Sequence, residues 1–289
     1  MREWPFDDKN VRMAFCYGVN RKELFDKIFF NQYEYIDSYY PGGRWGNPKN
    51  RKIRYNPRRA ARFLDSAGYT KRNANGIRVH EKTGKELSFT LEFGSASGTR
   101  IHQVIAEGLK EIGIEMKLEL MDYNALMKKV SERQFKLHSQ AWRGILFPNP
   151  LTGWHSDLAN EPYNNNLTGF ASAEVDTLME EYDRTFDVNE QTRIMQKIDS
   201  LIFKEYPVSL GWYGPFERIL SWNHFGMPDN VLTRTGDNHS LWSLWWSTPE
   251  MQKNLAESIE KGESMELVPD VMDPWGVKAR MESVPKEKE

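Results

Sequence analysis

The stretch LSFTLEFGSASGTRIHQVIAEGLKEIGIEMKLEL (residues 87–120) decides the fold class, because two apolar patterns of period two flank one of period 3.6. The first alternating pattern consists of Leu87, Phe89, Leu91 and Phe93. The helical pattern consists of Ile101, Val104, Ile105, Leu109 and Ile112. The second alternating pattern consists of Met116, Leu118 and Leu120. A strand, an amphipathic helix and a strand in this order predict a right-handed crossover and a parallel pair.

Further elements are predicted on both sides of this unit. Upstream, apolar spacing predicts two helices over residues 8–30, and Asn56-Pro57 begins a third that ends at Gly68. Downstream, a short helix, a third strand over 135–141 and two helices over 175–202 follow. Strands are also expected over 207–210 and 219–225. The alternation of strands and helices predicts an α/β fold with a mixed, mainly parallel sheet flanked by helices.

Composition excludes several classes of protein. Charged residues make up 28% of the chain and the formal net charge is −2, with both signs scattered, so no basic stripe indicates nucleic-acid binding. No apolar run approaches the roughly 18 residues that span a bilayer, which predicts that the chain is not membrane-spanning. The sequence begins without an apolar signal core. Cys16, the single cysteine, has no disulfide partner and fits the cytoplasm or the periplasm equally well.

Motifs for catalysis and for cofactors are missing from the sequence. Nucleophile-elbow, dinucleotide and Walker A patterns do not occur, and the six histidines show no metal-ligand spacing. We therefore expect no catalytic residues, no metal and no cofactor. An α/β hydrolase is kept as an alternative from a different class. Asn166-Leu167-Thr168 matches the glycosylation acceptor pattern, which we interpret as a chance match.

Five local strings, in order and with characteristic gaps, resemble the bacterial extracellular solute-binding proteins (family 5) of dipeptide and oligopeptide ABC transporters. These strings are FDDKNVRMA (6–14), VNRKEL (19–24), YNPRRAARFLDSAGY (55–69), IGIEMKLEL (112–120) and FKLHSQAW (135–142). Each string alone is weak, but together they are specific and cover residues 6 to about 225. GWYGPFERILSWNHFGMP (211–228) is most similar to Yej-type oligopeptide-binding proteins.

The resemblance implies the C-terminal half of a two-lobed protein. Family members are about twice as long, start with a signal peptide and bind solute between two lobes. Residues 1–205 are then expected to form the second lobe, a type II periplasmic-binding-protein-like lobe with residues 1–55 leading in. Residues 206–246 would be a segment that returns to the first lobe, and 247–289 a surface-wrapping or disordered tail.

The resemblance also places the ligand site near Trp142. In peptide-binding relatives, an aspartate three residues after this tryptophan pairs with the α-amino group of the peptide. Here Ile145 stands at that place, so the peptide amine is expected to be blocked, held elsewhere (with Asp157 as a weak candidate) or absent. Arg143 could hold a carboxylate or phosphate, or be a structural arginine.

Aromatic and amide side chains supply the other candidate ligand-binding residues. Aromatics are 13% of the chain, and rings offer flat contact area while amides both donate and accept hydrogen bonds. The remaining candidates are Trp154, Asn164, Asn165, Trp212 and Tyr213. The alternative for Trp154 is that it packs the long 142–171 loop.

The function that the resemblance implies is solute capture rather than catalysis. The expected protein is periplasmic, binds oligopeptides and delivers them to the membrane permease of an ABC importer. Its expected partners are therefore an oligopeptide or other small solute and that permease. An oligosaccharide, an opine or nickel, which other family members bind, stays open as the ligand.

Overall fold

The fold was analysed in a computed structural model that describes residues 3–41, 43–142, 144, 146–228 and 243–267. The chain divides into two compact units. The first comprises Met1–Trp142 and Phe147–Tyr213, and the second comprises Arg143–Leu146 and Gly214–Glu289. This division does not test the predicted boundaries at residues 205 and 246, which remain predictions.

The predicted strand–helix–strand unit is present in the first unit. Strand β4 (Ser88–Phe93) runs parallel to β5 (Glu115–Leu120), with Ser88 opposite Glu115 and Phe93 opposite Leu120. Helix α4 (Thr99–Glu111) connects the two strands. The alternating side chains Phe89, Leu91 and Phe93 are buried, as the sequence pattern requires. The α/β fold with a parallel pair flanked by helices is therefore confirmed.

Three helices form in the N-terminal region. They are α1 (Lys9–Gly18), α2 (Arg21–Lys27) and α3 (Pro57–Ser66). Helices α1 and α3 pack against the β4–β5 pair, and α2 packs against α4. Asn56 caps α3 by accepting a hydrogen bond from the Arg59 amide at 2.9 Å, and Pro57 occupies the first helical turn. Gly68, just past the helix end, has a φ of +84°, a conformation that glycine adopts without strain. Val11, Ala60 and Leu109 meet in one core cluster against β4 and β5.

A second core lies between two antiparallel helices of the same unit. Helices α7 (Ala173–Arg184) and α8 (Val188–Glu205) bury Val175, Met179 and Ile198 against each other. The fully buried Asp199 carboxylate accepts hydrogen bonds from the Tyr39 amide at 2.9 Å and the Asn47 amide at 2.8 Å. These bonds attach the long loop before α3 to α8. Burial raises the pKa of Asp199.

The remaining elements are short. They are helices α5 (Tyr123–Ser131) and α6 (Leu151–Trp154), two 3₁₀ turns (Ala96–Gly98 and Ser156–Leu158) and the strands β1 (Glu34–Tyr35), β2 (Lys71–Arg72), β3 (Arg78–Val79) and β6 (Trp212–Tyr213). Strand β1 pairs with β6 and β2 pairs with β3, both antiparallel. Within the described ranges, none of the helices has the length and apolar composition that crossing a membrane requires.

The second unit contains a helix that the sequence analysis did not predict. Helix α9 (Pro249–Lys261) begins at Thr248, whose hydroxyl accepts from the Met251 amide, and Gly262 follows it with a φ of +67°. None of its residues is buried, although Met251, Leu255 and Ile259 recur in it at the helical period.

Three predicted strands were wrong in extent. The segment 135–141 contributes one parallel bridge, between Leu137 and Leu91. Beyond Leu137 its side chains are small or polar and have little apolar surface to bury. Residues 207–210 do not form the predicted strand, and the strand in this region is β6, at 212–213. The 207–210 segment is held by a side chain instead, since Arg21 donates to the Ser209 hydroxyl at 2.7 Å. In 219–225, Ile219 and Leu220 are exposed, so that segment lacks a buried face.

Candidate functional site

The carboxyl ends of β4 and β5 form an open edge with exposed apolar side chains. Leu120 at the end of β5 is 53% exposed, and Tyr123 at the start of α5 is 60% exposed. Gly94 follows β4, and a Cβ atom there would lie 3.2 Å from the Tyr123 Cα, a tight contact that would require the start of α5 to shift. In open α/β sheets, ligands bind at this edge of parallel strands.

Trp142 lies on the segment that continues past the same edge. The parallel bridge between Leu137 and Leu91 aligns this segment with β4, so the residues after Leu137 run toward the carboxyl edge. The Trp142 side chain is 54% exposed, and its ring is available to a ligand. Arg143 and Ile145, the other two candidates here, lie outside the described residues, so their roles stay predictions.

Arg133 organises the loop that follows this segment. It has a left-handed backbone conformation (φ +59°) directly after α5, which aims its buried guanidinium at the loop. This group donates to the carbonyl oxygens of Glu161 at 2.5 Å, Asn166 at 2.8 Å and Leu158 at 2.7 Å. One side chain therefore holds three points of a loop whose regular structure is limited to one short helix and one 3₁₀ turn.

Asn164 and Asn166 complete this network. The Asn164 side chain accepts from Arg133 at 3.0 Å and donates to the Leu158 carbonyl at 3.1 Å. Asn166 is fully buried and donates to the carbonyls of His155 and Phe170. Since the Asn166 amide is inaccessible in the fold, the glycosylation pattern is sterically blocked there. Asn165, between them, is exposed.

Trp154 lies in the core of the first unit. Its ring contacts Tyr39 at 4.9 Å and Phe170 at 5.8 Å between centroids, both in edge-on geometry. The burial of this ring accords with the packing alternative. Asp157, the weak amine-binding candidate, is exposed, and its carboxylate lies 3.7 Å from His155 Nδ1.

Trp212 and Tyr213 form β6 and pair with β1. The Trp212 ring lies 4.9 Å from that of Phe29, and the Tyr213 hydroxyl donates to the Glu34 carboxylate. Both side chains are half-buried. Trp212 belongs to a core cluster around α2, separate from the clusters around Trp154 and around β4.

The structure thus divides the sequence-based candidates among four environments. Trp142 lies on the open edge, Asn164 stabilises the loop, and Trp154 and Trp212 lie in separate clusters. The sequence analysis missed Leu120 and Tyr123 as site candidates and Arg133 as the organiser of the loop. The position of the first two at the end of a predicted parallel strand was a usable signal. Among the described residues, histidine, cysteine and carboxylate side chains nowhere gather in groups of three that could hold a metal ion.

Comparison with known proteins decides the family. The sequence profile of the bacterial extracellular solute-binding proteins, family 5 (middle region), matches residues 1–165, which is more than half of the chain. The chain belongs to this family. The family consists of solute-binding proteins whose members are extracellular or periplasmic.

Named relatives of this family 5 protein include peptide-binding proteins. The oligopeptide-binding protein AppA of Bacillus subtilis is 27% identical over 235 residues, which cover 78% of this chain and 41% of AppA. The probable peptide-binding protein YejA of Agrobacterium fabrum is 22% identical, with 86% of this chain and 45% of YejA covered. The chain spans less than half the length of these relatives.

Solved structures confirm the family 5 fold. AppA of Bacillus subtilis, solved with a nonapeptide, superposes with a TM-score of 0.71 at 22% identity, covering 86% of this chain and 49% of AppA. A Thermotoga maritima oligopeptide-binding protein solved with mannohexaose gives a TM-score of 0.65 at 22% identity, covering 73% of this chain and 42% of that chain. NikZ of Campylobacter jejuni, solved with Ni(L-His), gives 0.67 at 19% identity, covering 84% and 49%.

Proposed function

We propose that this chain supplies one ligand-binding lobe of a periplasmic receptor that captures oligopeptides and delivers them to the permease of an ABC importer. Membership of family 5 carries the proposal, since residues 1–165 match its profile. The peptide-binding names of AppA and YejA support the choice of ligand. The receptor binds its solute and catalyses no reaction.

The open edge of the parallel pair suits an extended peptide. Leu120, Tyr123 and Trp142 together expose aliphatic and aromatic surface at or beyond the carboxyl edge of the strands. Such surface binds peptide side chains of varied sequence through apolar contact. The loop held by Arg133 follows Trp142 in the chain and gives this region a fixed backbone.

An oligosaccharide is the second candidate ligand. The exposed Trp142 ring favours it, because aromatic faces stack on sugar rings. The bound mannohexaose in the Thermotoga maritima protein documents sugar binding on a related fold. Peptide remains the first choice, since two sequence relatives carry peptide-binding names.

The decisive experiment examines the ligand that the cellular protein carries. The complete product of the gene that encodes this chain is purified, and mass spectrometry identifies what co-purifies with it. Calorimetry with the identified compound then measures binding. We expect peptides and a saturable heat without turnover. A sugar would replace the peptide proposal, and consumption of the ligand would contradict the binding role in favour of an enzyme.

A further inference from the structure

Exposed basic side chains on several helices of the first unit face acidic partners. On α2, Lys22 lies 3.1 Å from Asp26. On α7, Arg184 lies 3.2 Å from Glu180. Pairs of this kind, one helical turn apart, neutralise surface charge and stabilise the helix. Helix α3 differs from these helices in the partners of its basic side chains.

Helix α3 carries Arg58, Arg59 and Arg62 without such partners. None of these three guanidinium groups forms an ion pair or donates a hydrogen bond to any residue in the part of the chain that the structure describes. Asp65, the acid one turn after Arg62, instead binds Arg78 at 2.5 Å. Arg58 and Arg62 lie one turn apart, where like charges repel and destabilise a helix.

The three arginines surround a common cavity. It measures about 550 Å³, opens to solvent and is lined by Asn56, Arg58, Arg59, Arg62 and Phe63. The Arg59 guanidinium lies 4.6 Å from the ring centroid of the buried Tyr17 and 5.7 Å from that of Phe63. These cation–π contacts hold the Arg59 guanidinium beside the two rings, which supply no strong hydrogen-bond acceptor for its N–H groups.

We propose that this basic pocket on α3 binds a phosphate group. Planar guanidinium forks donate paired hydrogen bonds to phosphate oxygens, and three positive charges match a dianion. The phosphate could be free in solution or part of an anionic phospholipid headgroup. The pocket is formed by residues other than those of the proposed solute site.

Titration of the 289-residue chain tests the pocket. Inorganic phosphate is added in a calorimeter, and separately the chain is sedimented with vesicles of phosphatidylcholine containing phosphatidic acid or of phosphatidylcholine alone. The variant R58Q/R59Q/R62Q removes the three guanidinium groups. The control R184Q/R193Q/K197Q removes three charges that are paired with Glu180, Glu190 and Glu174. Thermal melting checks that both variants fold.

We expect the pocket variant to weaken binding at least about tenfold, which corresponds to about 1.4 kcal/mol, while the control binds like the parent chain. The probe that binds, free phosphate or phosphatidic acid vesicles, identifies the source of the group. Failure of both probes to bind the parent chain would overturn the proposal. So would an equal loss in the two variants, which would mean nonspecific attraction to surface charge.

Discussion

At the scale of single residues, Arg133 has the largest expected effect on stability. Replacing it with alanine would remove donors from the carbonyls of Glu161, Asn166 and Leu158 and would leave an empty space in the loop. We expect the variant Arg133→Ala to lower the free energy of unfolding by about 3 kcal/mol, which is less than the sum of three charged hydrogen bonds at about 1.5–3 kcal/mol each, because water replaces part of the lost bonding. Urea unfolding followed by circular dichroism measures this.

The exposed Arg193 on α8 provides the matched control for that measurement. Its ion pair with Glu190 lies on the surface, where such pairs contribute about 0–1 kcal/mol. Arg193→Ala should therefore change stability by less than about 1 kcal/mol. If the two variants were equally stable, water would be replacing the Arg133 bonds and the loop would not depend on them.

Trp142 is the residue on which the ligand proposal depends most directly. Because its ring is 54% exposed, removing it leaves no cavity in the core. We expect Trp142→Ala to weaken solute binding by about 1–3 kcal/mol through lost stacking area, with an unchanged melting temperature. Calorimetry on the complete receptor measures the affinity. Unchanged affinity would remove Trp142 from the site.

Ile145 bears on how the end of a peptide is recognised. A buried ammonium without an acceptor costs several kcal/mol, and an isoleucine side chain offers no acceptor. We therefore expect the complete receptor to bind N-acetylated peptides as tightly as the same peptides with a free amine. Parallel calorimetric titrations of both forms measure this. A preference of more than about tenfold for the free amine would refute the expectation and point to another acceptor.

At the scale of elements, the packing of α4 on β4 should respond to pH through His102. Its ring lies 4.9 Å from the ring of Phe93, and its buried Nδ1 has no hydrogen-bond partner among the residues that the structure describes. Burial lowers the pKa of His102, so the unfolded chain binds the proton at a higher pH than the folded chain. Stability should therefore fall as the pH drops below the ordinary histidine pKa of about 6.5.

The variant His102→Phe separates this effect from all other titrations. It keeps an aromatic ring against Phe93 and removes the ionisable group. We expect it to lose less stability than the parent chain between about pH 7.5 and about pH 5.5, as measured by urea unfolding at each pH. Equal losses in the two proteins would mean that His102 accepts its proton without disturbing the fold.

Elements with a buried face were predictable, and elements without one were not. The β4–α4–β5 unit followed from periodicity because burial dictates which positions are apolar. Helix α9 buries no residue, and it lies in a segment that we expected to be a tail, although the sequence offers Thr248-Pro249 at its start, Met251, Leu255 and Ile259 at helical spacing, and Gly262 at its end. The Arg133 network escaped prediction because three of its acceptors are backbone carbonyls, and a pattern of side chains does not report these.

At the scale of the whole molecule, the first unit has what independent folding requires. Three core clusters, around β4, around α8 and around α2, are each completed by residues of this unit. The candidate ligand surface, in contrast, is open at Leu120, Tyr123 and Trp142. Receptors that close two lobes around a solute gain affinity from surfaces on both sides. An open surface of one lobe therefore supplies only part of the contact.

We accordingly expect the 289-residue chain to fold on its own but to bind peptide at least about tenfold more weakly than the complete product of its gene. Both proteins are titrated with the peptide that co-purifies with the longer one, in the same buffer. A cooperative thermal transition of the shorter chain is the control for folding. Equal affinities would place the whole site within this chain, and the two-lobe interpretation would then be wrong.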